Sequence, residues 1–325
     1  MVKTTRREFL KQVAFAGAAL KFPKLANAAF EDKSLNNKSR VVIVTDKNII
    51  SRNNQVNQAV AKEMLDKSIA KLMKTKTSKE AWQKIFGPDD VIGIKVNALF
   101  GVGVSTHPEV AYAVAEALQA SGVKPENIII WDRNTSELIK SGFKPKRDGI
   151  GVQCYADDGD WGSEIEQGSF KGRITKFIES KCTAIINVPI LKTHSNAGVS
   201  ICLKNHYGSM DNPSSHHANH CNPMIADFNA IPIVKNKTRL VVIDAVRPQY
   251  DGGPGLKADS QFDYYSLIVS QDPLAADYEG IQIIQNKRKE NGLDAIPAKK
   301  LAWLDSANER GVGTNNPDKI DLIKV

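Results

Sequence analysis

Five of the six histidines of this 325-residue chain, His194, His206, His216, His217 and His220, lie with Cys202 and Cys221 between residues 194 and 221. Neutral imidazole and thiolate are the ligands that zinc, copper, nickel and iron select. Side chains four apart on a helix share a face, and Cys202 with His206, His216 with His220, and His217 with Cys221 have that spacing. The expectation is a transition-metal ion or metal cluster held by His194, His206, His216, His217, His220 and Cys221, although the spacing matches no closed paired C-x-x-C zinc motif. The four cysteines, Cys154, Cys182, Cys202 and Cys221, instead admit up to two disulfides in three pairings, with Cys202 to Cys221 closing the histidine loop. A four-cysteine iron–sulfur site would lack the close spacing such clusters use.

The second candidate chemistry is anion binding. Lys95, Lys192 and Lys204, with the Gly101–Gly103 loop ahead of a helix start, suit a phosphate or carboxylate. Neither G-x-x-x-x-G-K-S/T nor a G-x-G-x-x-G between strand and helix is present, and neither is a G-x-S-x-G elbow or H-E-x-x-H. Nucleotide-dependent and serine-hydrolase readings therefore have little support.

These residues gain meaning from the elements that must position them. Arg40–Asp46 is a β-branched run with a polar end, read as a buried strand. Gln55–Lys74 carries Val56, Val60, Met64, Leu65, Ile69 and Leu72 at helical spacing. Strands follow at Val91–Asn97 and Asn127–Asp132, separated by a helix that starts at Pro108–Glu109 and ends at Gly122. Further strands are expected at Thr183–Ile190, Arg239–Val246, Ser266–Ser270 and Lys319–Val325, with helices at Asn196–His206, Pro273–Lys287 and Lys299–Arg310. This alternation predicts an α/β fold, a mostly parallel, Rossmann-like sheet with helices on both faces, in which the ligand crevice lies at the strand carboxyl ends. That rule selects Lys95, Asn97, Thr106, His107 and Thr193 as substrate-binding candidates and Lys192, Asp132 and Asp244 as catalytic ones, with Arg133 and His194 beside them.

Composition sets the outer bounds. Apolar residues make up 42% and the 22 Gly bring the total to about half, the value of an ordinary globular chain. The amino terminus reads as an export signal: Thr5-Arg6-Arg7-Glu8-Phe9-Leu10-Lys11, a short apolar run from Val13 to Leu20, and the small-residue site Ala26-Asn27-Ala28. This is the pattern of a twin-arginine signal, residues 1–28, recognised by the twin-arginine translocase and delivering residues 29–325 to the periplasm as one α/β domain. The run is far below the ~20 residues of a membrane span. Residues 1–28 also hold six Lys or Arg against one Glu, so the chain's net +8 falls to +3 in the remainder, 38 basic against 35 acidic residues. The basic excess is largely the signal's, and with no basic stripe interleaved with aromatics a nucleic-acid partner is not expected.

One set of motifs resembles a known family. Ile94-Lys95-Val96-Asn97, Thr106-His107-Pro108-Glu109-Val110, Ile130-Trp131-Asp132, Asn187-Val188-Pro189-Ile190-Leu191-Lys192-Thr193-His194, Leu203-Lys204-Asn205-His206-Tyr207-Gly208, Ile243-Asp244-Ala245 with Gly252-Gly253-Pro254, and Ser270-Gln271-Asp272-Pro273-Leu274-Ala275-Ala276-Asp277 are similar to bacterial and archaeal proteins grouped as domain of unknown function 362. The likeness spans about residues 40–290. It implies that Lys192, His194, Lys204, Asn205, Asp272 and Asp277 belong to the site. Some relatives carry a fused iron–sulfur module with tightly spaced cysteines, which this chain lacks. Thr106 to Lys124 also resembles the amino-terminal part of nickel-dependent lactate racemases.

The leading expectation is a periplasmic protein using a bound metal or metal-containing cofactor in a redox or hydrolytic reaction on a small anionic molecule. The alternatives are a non-catalytic binding protein for a small anion or a protein partner, and a structural protein with two disulfides.

Overall fold

The computed structural model describes residues 38–325; the expected export signal lies outside them. The described chain opens with β1 (Ser39–Thr45), helices α1 (Gln58–Met73) and α2 (Ser78–Ile85), and β2 (Ile92–Val96). It continues through α3 (Pro108–Ser121), β3 (Ile128–Trp131), α4 (Thr135–Lys140), β4 (Gln153–Cys154) and the hairpin β5 (Trp161–Gln167) with β6 (Phe170–Thr175). Strands β7 (Ala184–Val188), β8 (Ile190–His194) and β9 (Gly198–Ser200) precede the short helices α5 (Cys202–Asn205), α6 (Met224–Ala230) and α7 (Pro232–Lys237). The remainder comprises β10 (Thr238–Gln249), β11 (Ser266–Ser270), α8 (Pro273–Glu290), α9 (Trp303–Glu309) and β12 (Ile320–Lys324).

A ten-stranded sheet runs β12-β1-β11-β10-β7-β2-β3-β4, with β8 paired to β10 and β9 to β8. Most pairs are parallel; β11 is antiparallel to both neighbours and β9 to β8. Side chains alternate between two cores as strand geometry requires. Val41, Ile129, Trp131, Ile185, Val241, Ile243 and Ile268 enter one core with α6, α8 and α9. Val42, Ile128, Ile130, Ile186, Val242, Leu267 and Val269 enter the other with α1, α2 and α3. Helices thus cover both faces, as the near-continuous apolar strands demand.

The order contains one reversal that matters. The chain goes from β2 outward to β3 and β4, then returns to β7 on the other side of β2 and proceeds to β10. Ligands of open α/β sheets bind beyond the strand ends at such a reversal, here at the carboxyl ends of β2 and β7.

Three local expectations need correction. The helix foreseen at Asn196–His206 is a hairpin strand, β9, followed by the single turn α5. The run Thr183–Ile190 contains the whole of β7 and the first residue of β8, broken at Pro189, whose carbonyl accepts the Asp244 amide at 2.8 Å. The histidine loop contains two short 3-10 turns, Pro213–His216 and Ala218–Cys221, and Asn219, His220 and Cys221 all have positive φ. A right-handed helical face therefore cannot form there, and the four-residue spacing loses its meaning.

Candidate functional site

At the β2–β7 reversal lies a crevice of about 370 Å³ lined by Lys95, Asn97, Leu99, Phe100, Asp132, Arg133, Glu137, Lys192, His194, Lys204, Asn205, Tyr207 and His217, with Ser200, Gly208, Pro213, Ser214 and Pro254 completing the wall. Among the charged lining residues, Lys95, Arg133, Lys192 and Lys204 stand against Asp132 and Glu137. Cations outnumber carboxylates in a partly enclosed space, where charges are screened less than on an open surface.

The three lysines differ in how their charge is met. Lys95, 1% exposed, donates to Asp132 Oδ1 at 2.7 Å and to the Val96 carbonyl at 2.7 Å. Asp132 is itself held by the amides of Ala98 and Arg133, each at 2.7 Å. Gly208 passes so close that a β-carbon there would stand 2.8 Å from Asp132 Oδ1 and 2.9 Å from Lys95 Nζ, which accounts for glycine at the end of the Leu-Lys-Asn-x-x-Gly segment. Lys192 donates to Asn97 Oδ1 (3.0 Å), the Val104 carbonyl (2.6 Å) and the Leu99 carbonyl (3.4 Å). Its three donors are used up in pinning the Asn97–Thr106 loop. Burial pulls its pKa down to about 7, with the Asp132 charge acting in the opposite direction.

Among the described residues Lys204 has no oxygen acceptor. Its Nζ lies within hydrogen-bond distance of His217 Nε2, at 3.2 Å, and sits 3.0 Å from the centroid of the Tyr207 ring. Burial pulls it down to about 7 as well. His194 stacks on His217, ring centroids 5.7 Å apart, and its Nδ1 accepts the amides of Asn196 (3.1 Å) and Ala197 (3.2 Å), so its proton is on Nε2. Burial, reinforced by the Lys204 charge, brings His194 down to about 3, and burial and Lys204 also lower His217. Both rings are therefore neutral around pH 7.

An amide ladder underlies these groups. Asn97 Nδ2 donates to Asn205 Oδ1 (3.1 Å), Asn205 Nδ2 to Asn187 Oδ1 (2.7 Å), and Asn187 Nδ2 to the Cys202 carbonyl (2.7 Å). Asp277 accepts the amides of Cys202 (2.7 Å) and Leu203 (3.0 Å), holding the amino end of α5 and so the turn that carries Lys204. Thr106 Oγ1 accepts the Asn97 amide and donates to the Val188 carbonyl, tying the ends of β2 and β7 together. Thr193 Oγ1 accepts the Gly253 amide at 3.1 Å, and a β-carbon on Gly253 would collide with the Thr193 carbonyl.

Several expected site residues have other places. Asp272 caps α8, accepting the amides of Leu274, Ala275 and Thr314 and the Ser39 hydroxyl, and is not on the crevice wall. Asp244 accepts both the amide (2.8 Å) and Nδ1 (2.7 Å) of His107, closing the start of α3; the anion site expected at this helix start is thus taken by a carboxylate of the protein. In the Gly101–Gly103 loop the Val102 and Val104 amides donate to the Lys140 and Gly101 carbonyls. Burial works against a charged His107, yet Asp244 raises its pKa overall.

The six expected metal donors do not converge. His194 and His217 line the crevice. His206 is buried against Ser209 and Thr238, His216 packs its ring on Phe170, and His220 contacts Asn196. Cys221 receives the Asn196 side chain at 3.7 Å. Among the described residues no group of three or more His, Cys, Asp or Glu side chains is arranged to hold a metal ion. All four cysteines are buried free thiols, so the disulfide alternative is not realised.

A family model described as "Domain of unknown function (DUF362)" matches residues 92–282, more than half of the chain. The chain belongs to the DUF362 family. Every crevice residue of this DUF362 chain, from Lys95 to Pro254, falls inside the matched segment. Comparison with curated proteins gives no match. Among solved structures, the chain is similar to a crystal structure of a protein from Thermotoga maritima, 12% identical, with a TM-score of 0.44. The match covers 71% of the DUF362 chain and 59% of that protein. Among the described residues no helix is long and apolar enough to cross a membrane.

Sequence reasoning passed over Phe100, Glu137, Tyr207 and the role of Gly208. Tyr207 had a usable signal, three residues after Lys204 and so beside it on a helical turn. Glu137 had none, since an acidic residue in a first helical turn is an ordinary occurrence.

Proposed function

We propose that the crevice binds a small anionic organic molecule, a carboxylate or a phosphate, with Lys204 as the group that meets its charge. The observation that carries this reading is the contrast among the three lysines. Lys95 has Asp132 and Lys192 has three carbonyl-type oxygens, whereas Lys204 is 5% exposed and, among the described residues, has only an imidazole and an aromatic face. A buried cation without an anionic or carbonyl partner is costly, and an anion entering the crevice would relieve that cost.

The same arrangement supports proton transfer. An amine pulled down to about 7 beside a neutral imidazole exchanges protons readily near neutral pH, so Lys204 with His217 forms an acid–base pair next to the bound molecule. Of the six donors expected for a metal only His194 and His217 line the crevice, two where a bound ion generally takes three or four protein ligands. Export by the twin-arginine route is a separate proposal resting on Arg6-Arg7 and Ala26-Asn27-Ala28; loss of periplasmic protein in Arg6→Lys/Arg7→Lys would support it.

Calorimetric titration with simple carboxylates and inorganic phosphate, comparing wild type with Lys204→Gln, tests the function. Saturable binding that is lost in the variant is expected. Binding of equal strength to both proteins would overturn the role of Lys204.

A further inference from the structure

Beside the cationic crevice lies an exposed apolar strip. Leu99 (42% exposed), Phe100 (53%), Val102 (69%) and Leu256 (53%) are all large and uncovered. Leu99 and Phe100 line the crevice itself. Leu256 packs on Gly103, one residue beyond Val102. The Val102 amide donates to the Lys140 carbonyl, which ties the strip to the carboxyl end of α4.

This strip does not behave like a loop left loose at the surface. Lys192 holds the Leu99 and Val104 carbonyls, Ser141 donates to the Ala98 carbonyl at 2.7 Å, Gln261 donates to the Gly103 carbonyl, and the Thr106 amide donates to the Asn97 carbonyl at 2.8 Å. Phe100 is kept at φ 79, where a β-carbon is disfavoured, with its ring 5.7 Å from the Lys192 ammonium. A buried lysine and three other tethers thus present apolar side chains to water at the mouth of a crevice rich in cations. Contiguous exposed apolar surface of this kind marks a binding region, and its continuity with the charged floor specifies an occupant with both characters.

We infer that the crevice takes an amphiphile, a free straight-chain carboxylate whose head group meets Lys204 and whose hydrocarbon chain runs out over Leu99, Phe100, Val102 and Leu256. The inference rests on the proposed anion site and adds the tail. Charge complementarity selects the carboxylate end, and the open strip selects a flexible chain, because a tail lying on a one-sided surface needs no enclosed tunnel.

The test is a chain-length series of straight-chain monocarboxylates, below their micelle concentrations, measured on the full protein by displacement calorimetry. Matched alcohols serve as uncharged controls. Burial of each methylene is expected to tighten binding by up to about fourfold. Val102→Ser/Leu256→Ser, outside the crevice wall, should flatten the dependence on length and leave the short acids unchanged. Lys204→Gln should weaken all acids by a common factor and leave the slope intact.

A wild-type series with no length dependence, while short acids still bind, overturns the tail and spares the anion site. Alcohols binding as tightly as acids overturn the anion site and, with it, the head of the amphiphile. Two further results would also contradict the inference by naming another occupant: dimerisation that is abolished by the serine substitutions, or binding to anionic vesicles without binding of free acids.

Discussion

Replacing Asp132 with alanine removes the carboxylate that meets Lys95 at 2.7 Å at the base of the crevice. The two groups are 5% and 1% exposed, so water does not take over the lost contact. At an effective dielectric of about 20, opposite charges at this separation attract by about 6 kcal/mol gross. Measured costs of orphaning one member of a buried pair run at about 3–5 kcal/mol. The amides of Ala98 and Arg133 also lose their acceptor. We therefore expect Asp132→Ala to cost about 3–5 kcal/mol, a large share of the roughly 5–15 kcal/mol that folded domains possess. Lys95→Met should cost less, because Asp132 keeps its two amide donors, while Lys95 without Asp132 keeps only the Val96 carbonyl. Urea unfolding followed by tryptophan fluorescence is a direct assay, since buried Trp131 immediately precedes Asp132. For a slope near 3 kcal/mol/M the midpoint falls by roughly 1–2 M. A loss below about 1 kcal/mol for Asp132→Ala, or Lys95→Met proving the more damaging, would refute the reasoning.

Three further outcomes follow from the same geometry. Gly208→Ala places a methyl group against the Lys95–Asp132 pair and should cost about 1–3 kcal/mol by overpacking, seen as a lowered thermal midpoint; an unchanged midpoint would count against that close approach. His216→Ala/His220→Ala alters neither crevice wall nor lysine, so titrated anion affinity should stay within about twofold of wild type; a larger loss would return those histidines to the site. Counting thiols without reductant should give four reactive cysteines after unfolding and essentially none in the folded protein, because all four are free and buried; fewer than four after unfolding would indicate disulfides.

The parts of this account that were legible in the sequence are those where local pattern and tertiary position coincide. Apolar β-branched runs with polar ends marked the parallel strands, and the rule that ligands sit past those ends picked out Lys95, Asn97, Asp132 and Lys192, while the family resemblance added Lys204 and Asn205, all on the crevice wall. The rule also selected Asp244, and the resemblance Asp272, neither of which stands on the crevice wall. An aspartate that caps a helix and one that faces a ligand have the same local sequence, and only the fold shows that the oxygens of Asp272 are already taken by Ser39, Leu274, Ala275 and Thr314. The histidine cluster failed for a different reason. Closeness in sequence becomes closeness in space only if a regular element carries it, and the left-handed run Asn219–Cys221 sends neighbouring rings to separate partners. The β5–β6 hairpin was invisible because Trp161–Gln167 mixes Ser and Glu with a single Ile and lacks an apolar stripe. The apolar strip was missed because exposure is a property of the fold, and Leu99 and Phe100 look like ordinary core residues in a string of letters.

The central claim is that Lys204 meets the charge of a bound anion, and the pH dependence of anion affinity tests it most directly. Burial holds the free lysine at about 7, and a bound anion must raise it. Below about pH 7 the group is already protonated, so affinity is level. Above that, binding requires proton uptake, and affinity should fall by up to tenfold per pH unit until the raised pKa of the complex is passed. Calorimetry with a simple carboxylate between about pH 6 and pH 9 should show that decline in wild type and a much weaker, flatter response in Lys204→Gln. A level profile in wild type, or the same decline in both proteins, would contradict the account.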